Sequence, residues 1–403
     1  MLLLLPFASC RHDHGDDVKR KGVEINTDSL FIDLGKGKVT RRAKMADAAF
    51  EEICATSGLN GVVLYAEQGQ VLYRHAFGWR DLRHRRDSLR IDDQFQLSSD
   101  SKMFTAEAIM LLHMRGKIDY DADVREYIPE FPYSGITVRN LLNHRSGLSR
   151  YEVVADEFWP DRNVPLSNED MIKLLVEKKP EPYSPPDVIF HYNNINYALL
   201  ATIVERITGK HFEDFMRDNI FEPLGMHRSY IYSMRGDTVV STFMDCDVPG
   251  HDMFRNGGQT AQNDYLNGVM GDKIMFSTVD DIYRFCVALN YDLLLPDSIQ
   301  SEAFRPGSPT WWHEENYGFG WRLHQQHPGT VYHFGWWKGY RSYIIRYVDK
   351  NRVLIVLTNT DRGTSGEALW NFINDTTLQL PQADVNVSQW KSDNGIKTDF
   401  MPK

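Results

Sequence analysis

Residues 95–106 read FQLSSDSKMFTA and place Ser99 three positions before Lys102, at the start of an apolar segment. In a helix, side chains three positions apart lie on one face, so the Ser99 hydroxyl and the Lys102 amine come within hydrogen-bonding reach. A buried lysine loses its proton more easily than an exposed one, and the neutral amine can then accept the hydroxyl proton. The spacing predicts a nucleophile with its own base, although by itself it also fits an N-cap serine followed by a solvated lysine.

Two further segments carry residue types that an activated serine needs nearby. Residues 190–197 read FHYNNINY and directly precede a predicted helix, and residues 331–339 read VYHFGWWKG and predict a strand running into a turn. Alone, Tyr192 fits a core aromatic residue and His333 fits a hydrogen-bonded histidine at a sheet edge. Together with the Ser-x-x-Lys pair, both are predicted to belong to one catalytic group.

The order Ser-x-x-Lys, Tyr-x-Asn, His-x-Gly resembles that of the serine β-lactamase and penicillin-binding protein superfamily, specifically its class C-like branch. The flanking sequence resembles this family over residues 45–380, most clearly at 99–112, 128–132 (IPEFP), 136–148 (ITVRNLLNHRSGL), 317–321 (YGFGW) and 353–359. The resemblance implies a β-lactamase/transpeptidase-like α+β fold and a serine hydrolase that needs no cofactor and no metal.

The resemblance also assigns roles to three side chains. It implies that Ser99 attacks an acyl carbonyl and forms an acyl-enzyme, while Lys102 keeps the hydroxyl activated. Tyr192 matches the tyrosine of the family motif and would shuttle protons during acylation and deacylation, for which we expect nearby cations to lower the pKa of its phenol. The sequence contains no Ser-Asp-Asn element and no class A glutamate, so deacylation would depend on Tyr192.

Four more residues are expected to bind or polarise the substrate. Asn194 would hydrogen-bond the lysine or a substrate amide, and His333 would face the cleft and bind or protonate substrate. Gly335 completes the His-x-Gly element, and the N–H group of Trp336 would form the oxyanion hole with that of Ser99.

The sequence departs from the β-lactam specialists of the family at this strand. They carry a lysine where this chain has His333, and a histidine is only partly charged near neutral pH, so capture of a substrate carboxylate should be weaker unless Lys338 or Arg341 compensates. Trp336 and Trp337 are bulky at positions where small residues are usual, and could narrow the cleft. We therefore expect an esterase, a D-aminopeptidase or carboxypeptidase, or a weak β-lactamase acting on a small ester, D-amino-acid amide, peptidoglycan-type peptide or β-lactam.

Two other functions fit the same motifs. A penicillin-binding sensor would be acylated without turnover, and a catalytically inactive scaffold would use the cleft only to bind a ligand. A sensor would show stoichiometric labelling by penicillin without release, and failure of penicillin and fluorophosphonate probes to label Ser99 would favour the scaffold.

Hydrophobic patterning predicts an antiparallel sheet built from early and late segments, flanked by terminal helices, with a mainly helical lobe inserted between them. The catalytic domain is expected at 44–380, with a sheet lobe at about 44–97 and 291–380 and a helical lobe at about 98–290. The predicted helices are 44–56, 195–207 and 367–377, and the predicted strands are 61–66, 71–77, 321–324, 331–335, 340–348 and 352–357.

The first ten residues, MLLLLPFASC, are apolar and end in small residues before Cys10. This resembles a bacterial lipoprotein signal in which Cys10 is lipidated, although no positive residues precede the short apolar core. We expect a polar tether at 11–43, a tail at 381–403, and a periplasmic or cell-surface location with a lipid anchor in a bacterial membrane.

Composition excludes several other classes. A formal net charge of −10 and a pI near 5.8, with no basic block, argue against nucleic-acid binding, and no phosphate-binding loop is present. Cys54, Cys246 and Cys286 are isolated and predict neither a disulfide framework nor a metal site. The tract RHDHGDD at 11–17 could bind a metal, but its composition favours a flexible tether. The expected partner is a small-molecule or peptide substrate, and the sequence does not define an oligomeric state.

Overall fold

The computed structural model describes residues 38–235, 238–239, 247–254, 257–309 and 316–379. The helices are α1 Lys38–Ser57, α2 Ser101–Met114, α3 Val138–Leu142, α4 Tyr151–Phe158, α5 Asn168–Lys178, α6 Asn194–Thr208, α7 Phe212–Met216, α8 Val279–Asn290, α9 Asp297–Gln300 and α10 Gly366–Asn374. The strands are β1 Gly61–Glu67, β2 Gln70–Phe77, β3 Trp79–Asp81, β4 Arg86–Ser88, β5 Phe95–Gln96, β6 Tyr230–Ile231, β7 Met234–Arg235, β8 Thr238–Val239, β9 His251–Asp252, β10 Gln259–Thr260, β11 Met275–Ser277, β12 Asn316–Tyr317, β13 Arg322–Leu323, β14 Thr330–Trp337, β15 Tyr340–Tyr347 and β16 Arg352–Thr358.

The main sheet joins the early and late parts of the chain, as predicted. Its seven strands lie in the order β12-β13-β14-β15-β16-β1-β2, and all the neighbouring pairs are antiparallel. Strand β1 lies between β2 and β16, with Gly61 opposite Thr358 and Glu67 opposite Arg352. All seven residues of β1 are buried because both faces of the sheet are covered.

Successive side chains in each strand point to opposite faces, so the sheet divides the apolar residues between two cores. The outer core packs against α1 and α10 and includes Val63, Tyr65, Ile345, Leu354 and Val356 with Phe50, Leu369 and Phe372. The inner core packs against the helical part of the chain and includes Val62, Leu64, Ile344, Ile355 and Leu357 with Phe104, Ile109 and Phe285. The same alternation decides which side chains of β14 face the helical part of the chain.

The segment between β2 and β12 contains more strand than the sequence analysis predicted. A three-stranded sheet with the order β5-β11-β6 and the pairs β3-β4, β7-β8 and β9-β10 lie between the helices. The segment was predicted to be mostly helix and loop, and these strands were not foreseen because two or three residues are too short to show an alternating pattern.

Most of the predicted elements are confirmed within a few residues, but α1 starts earlier than expected. It begins at Lys38, so residues 38–43 are helical rather than part of a polar tether. Helix α6 ends where predicted, with Gly209 in the left-handed conformation at its C-cap. Cys10, Cys246, residues 11–37 and the predicted tail 381–403 lie outside the described residues. No helix in the described ranges combines the length and apolar character needed to cross a membrane.

Candidate active site

The nucleophile candidate lies on a short turn that leads into α2. Residues Ser98–Asp100 form one turn of 3-10 helix, and α2 begins at Ser101. Ser98 has a φ of 52°, in the left-handed region that a residue with a side chain rarely adopts. Ser99 is partly exposed, whereas Lys102 is fully buried one turn later. The Nζ atom of Lys102 lies 3.3 Å from the Oγ atom of Ser99, so the structure places the two groups together as the spacing predicted.

Lys102 is held by two oxygens besides Ser99. Its Nζ donates to the Oδ1 of Asn194 at 2.8 Å and to the backbone carbonyl of Asp272 at 2.7 Å. Burial lowers the pKa of Lys102 to about 8, although the negative charges of Asp272 and Glu152 oppose this shift. At pH 7 roughly a tenth of the amine is therefore neutral and able to act as a base.

Asn194 links this lysine to an acidic residue. It is the first residue of α6, behind an N-cap at Asn193. Its Oδ1 accepts from Lys102, and its Nδ2 donates to the Oε1 of Glu152 at 2.6 Å. Because Glu152 can only accept from the amide nitrogen, it fixes the amide with its oxygen toward the lysine.

Tyr192 lies over the same pair of groups. The centre of its ring is 5.0 Å from the Nζ of Lys102 and 5.0 Å from the guanidinium carbon of Arg322. Its hydroxyl is buried without a hydrogen-bond partner among the described residues. Burial raises the pKa of Tyr192 more than Ser99 and Arg322 lower it, so the expected lowering was wrong. Tyr192 is a neutral phenol that can pass a proton on, and Lys102 is the better base.

A buried histidine positions Tyr192. His144 has a φ of 57°, and its Nδ1 accepts from the backbone N–H of Asn193 at 3.2 Å and pairs with the Nδ2 of Asn196 at 3.0 Å. Its ring lies 4.4 Å from the ring of Tyr192. Burial and the nearby Lys102 charge hold the pKa of His144 well below its usual range, so its ring stays neutral. The Nδ1 of the neutral ring can therefore accept hydrogen bonds from the segment that follows Tyr192.

Strand β14 passes directly over the nucleophile turn, and Gly335 permits this approach. A Cβ atom at Gly335 would lie 2.3 Å from the carbonyl oxygen of Leu97 and 3.0 Å from the Cβ of Ser98. Only a glycine fits at this distance. The approach brings the backbone of Trp336 beside the turn that carries Ser99, and the pairing of their N–H groups as an oxyanion hole stays a prediction.

The structure gives His333 a different environment from the one expected. It is fully buried, with its Nδ1 3.1 Å from the Oδ1 of Asp100 and its Nε2 2.9 Å from the hydroxyl of Tyr317. Burial and the charge of Arg322 hold the pKa of His333 well below its usual range. Both ring nitrogens are occupied and the ring is neutral, so His333 connects Asp100 and Tyr317 instead of meeting a substrate.

The residues expected to compensate for the missing lysine also lie elsewhere. Lys338 forms an ion pair with Asp264. Arg341 lies on the outer face of the sheet, where its guanidinium carbon is 4.2 Å from the centre of the Trp336 ring. Arg322 of β13, which the sequence analysis did not single out, is the arginine that lies over Tyr192.

Several site residues were missed because their partners come from distant segments. Three of these residues, Asp100, His144 and Tyr317, lie in the segments that resemble the family most clearly, and their polar side chains there are the signal by which they could be found. The missed residues are Asp100, His144, Glu152, Asp272, Tyr317 and Arg322.

One group with metal-ligand geometry exists among the described residues, and it lies apart from this site. Ligand atoms of Glu205, His211 and Glu213 lie within 4.8 Å of one another, as exposed acidic groups commonly do without an ion. None of these three residues takes part in the hydrogen bonds that join Ser99, Lys102, Asn194 and Glu152.

A helix-flanked antiparallel sheet, with a serine, a buried lysine and a tyrosine gathered against the inner face of its strand β14, is the arrangement of a class of serine hydrolases that act through a Ser-x-x-Lys pair. The family model described as Beta-lactamase matches residues 46–378, and the chain belongs to this family.

Similar proteins include two penicillin-binding proteins or homologues and a D-aminopeptidase. Penicillin-binding protein 4* of Bacillus subtilis (strain 168) is 33% identical over 335 residues, covering 81% of this chain and 74% of that protein. A D-aminopeptidase of Cereibacter sphaeroides is 30% identical over 176 residues, covering 44% of this chain and 34% of that protein. The octameric penicillin-binding protein homologue from Pyrococcus abyssi has the same fold, with a TM-score of 0.68, 23% identity and coverage of 81% of this chain and 75% of that chain.

Proposed function

We propose that the protein is a serine acyl hydrolase that forms an acyl-enzyme on Ser99, with Lys102 as the base. One observation about Lys102 carries this proposal. Its amine is buried 3.3 Å from the Ser99 hydroxyl, and burial lowers the pKa of the amine to about 8. A solvated lysine would be protonated at neutral pH and could not accept the hydroxyl proton. The burial of Lys102 therefore supports a catalytic role over a structural one.

The arrangement supports a complete reaction cycle. The neutral amine of Lys102 takes the proton from the Ser99 oxygen as that oxygen forms a bond to the acyl carbonyl carbon. The Tyr192 phenol gives its proton to the departing nitrogen or oxygen and is reprotonated through Lys102. Water then attacks the carbonyl carbon of the acyl-enzyme and loses a proton to the same pair. The pair returns this proton to the Ser99 oxygen as its bond to the acyl carbon breaks, which releases the acid and restores the Ser99 hydroxyl.

The proposed substrate carries a carboxylate on its leaving group. Arg322 is partly exposed and lies over Tyr192, and it supplies the positive charge that the buried, neutral His333 does not. A guanidinium binds a carboxylate through two parallel hydrogen bonds. A D-amino-acid peptide, a peptidoglycan-type peptide or a small ester whose leaving group carries a free carboxylate fits this site, in line with the names of the D-aminopeptidase and penicillin-binding relatives. A D-amino-acid amide releases ammonia, so it could be cleaved by the Ser99 and Lys102 pair but would make no use of Arg322.

A second candidate is a penicillin-binding sensor that turns over slowly. It is favoured by the raised pKa of Tyr192, since this phenol would be a poor base for deacylation. In that case a penicillin adduct on Ser99 would persist.

Intact-mass spectrometry tests these proposals. The purified protein and Ser99→Ala are exposed to p-nitrophenyl acetate and, separately, to a fluorescent penicillin. Ser99-dependent release of p-nitrophenol with no lasting adduct is expected for the hydrolase, and a stable penicillin adduct without turnover indicates the sensor. Equal behaviour of both proteins with both reagents would rule out a role for Ser99 and leave a ligand-binding scaffold.

We also propose that Cys10 anchors the protein to a bacterial membrane, with the catalytic domain in the periplasm or at the cell surface. The support is the apolar segment before this cysteine. Fractionation of cells that express the full chain or Cys10→Ser tests the anchor, and equal membrane association of the two would contradict it.

A further inference from the structure

A tryptophan projects into the inner side of the sheet just beyond the nucleophile turn. His333, Gly335 and Trp337 alternate with outer-face residues along β14, so all three lie on the inner face. His333 contacts Asp100 and Gly335 contacts the Ser98 turn, while Trp337 packs against the inner core. Two residues along a strand span roughly 7 Å, so the indole lies one step past the point where β14 touches the turn.

A buried lysine, Lys273, makes a cation–π contact with the indole ring of Trp337. The Nζ of Lys273 lies 4.9 Å from the centre of the Trp337 ring and 5.1 Å from the ring of Tyr151. Lys273 is 1% exposed, is hydrogen-bonded to the Tyr151 hydroxyl, and lies 2.9 Å from the Asp272 carboxylate. A desolvated cation over an indole is among the stronger cation–π contacts.

The ring is also held from the side of the turn that joins β14 to β15. The Nζ of Lys338 lies 5.3 Å from its centre and is paired with Asp264. Asp264 caps the 3-10 turn that contains Asn267, and the Trp337 Nε1 donates to the Asn267 Oδ1 at 3.4 Å. Two cations and one hydrogen bond therefore fix this side chain, which reduces its freedom to swing out of the way of a substrate.

This assembly is connected directly to the catalytic lysine. The backbone carbonyl of Asp272, whose carboxylate pairs with Lys273, accepts from the Nζ of Lys102. Arg322 of β13 lies opposite Tyr332 in the sheet, at the end of β14 that is farther from Trp337. A substrate whose leaving-group carboxylate is drawn to Arg322 therefore directs its acyl group along β14 toward Trp337.

We propose that Trp337 closes the acyl end of the cleft and restricts the enzyme to short acyl groups, an inference that rests on the proposed acyl hydrolase function. A tryptophan side chain occupies the space that several methylene groups of an acyl chain would need. The ring, held by these contacts, excludes longer chains, and its removal frees the space that the indole occupies.

The test uses 4-acyloxybenzoates, whose leaving group carries a carboxylate that fixes the orientation. Hydrolysis of the acetyl, butyryl and octanoyl esters is measured for the wild-type protein, Trp337→Ala and Trp337→Leu. The wild-type protein is expected to prefer acetyl. The ratio of octanoyl to acetyl kcat/KM should rise at least about tenfold in Trp337→Ala and less in Trp337→Leu, since a single methylene in a pocket is worth about 10-fold or more.

Trp370→Leu is the matched control, because this half-buried tryptophan packs on Tyr332 and Phe334 at the outer face of the sheet. It should leave the acyl-length ratio unchanged. If Trp337→Ala does not fold, the shorter but apolar Trp337→Leu decides the matter. An unchanged ratio in the folded variants, with acetyl turnover retained, would overturn this inference alone. Absence of Ser99-dependent hydrolysis in the wild-type protein would overturn the proposed function and this inference with it.

Discussion

The chemistry proposed for this site depends on the protonation of one side chain, Lys102. Its amine is fully buried, and among the described residues it has three hydrogen-bond partners, of which two are neutral amide or peptide oxygens. Burial therefore outweighs the nearby carboxylates and moves its pKa toward neutrality. The sequence predicted the pair of Ser99 and Lys102, but it could not predict this balance, since Glu152 and Asp272 reach the amine from other segments.

The activity should rise with pH through the pKa of Lys102. Below a pH of about 8 the amine is protonated and cannot accept the Ser99 proton, so kcat/KM should fall by roughly tenfold for each pH unit, and above it should level off. Initial rates with 4-acetoxybenzoate from pH 5 to 10 measure this profile. Lys102→Met should be inactive throughout, and a wild-type profile that is flat or falls between pH 6 and 8 would contradict the role of Lys102 as base.

Arg322 is predicted to select substrates by the charge of the leaving group. Arg322→Gln should reduce kcat/KM for 4-acetoxybenzoate by about tenfold or more relative to p-nitrophenyl acetate, which lacks the carboxylate. The control is Arg341→Gln, since Arg341 lies on the outer face over Trp336. Equal losses for both esters would mean that Arg322 acts on Tyr192 or on folding and does not bind the substrate.

At the scale of elements, the site is the contact between β14 and the turn before α2. The long strands were predicted closely because their alternating apolar residues show in the sequence, and α6 was predicted because Gly209 ends it. The contact itself could not be predicted, because periodicity does not tell which helix a strand touches. His333 is an example of what the sequence did not predict. Its motif was recognised, but its burial depends on contacts with Asp100 and Tyr317, which lie in two other segments of the chain.

The packing of β14 on the nucleophile turn gives a prediction for stability. Gly335→Ala would place a Cβ 2.2 Å from the Ser342 Oγ and 2.3 Å from the Leu97 carbonyl oxygen, so the strand must move away from Ser99. We expect a loss of about 1–3 kcal/mol in the free energy of unfolding, and loss of activity even at temperatures where the protein is folded. Thermal and urea unfolding measure the first effect, and ester hydrolysis measures the second.

The matched control is Gly366→Ala at the first position of α10. A Cβ there has no neighbour within 4 Å, and alanine favours a helix, so stability should be unchanged or slightly higher. If Gly335→Ala behaved like Gly366→Ala in both assays, the close approach of β14 to the nucleophile turn would not be needed for catalysis.

At the scale of the whole molecule, the early and late parts of the chain build one sheet, and the helical part supplies Ser99, Lys102 and Tyr192 against its inner face. This division was predictable because strand patterns occur at both ends of the chain and helical patterns in the middle. The short strands of the inserted segment were not predictable, nor were the side chains that clamp Trp337, since they come from loops with no periodic pattern.

The position of β1 between β2 and β16 also matters for how the protein is made. A ribosome completes β16 at Thr358 roughly 300 residues after it begins β1 at Gly61. At about 5–20 residues per second, the β1–β2 hairpin must wait on the order of 15–60 s with one edge unpaired. Such an edge can pair with other growing chains, so the nascent protein should need protection by chaperones until its last strand emerges.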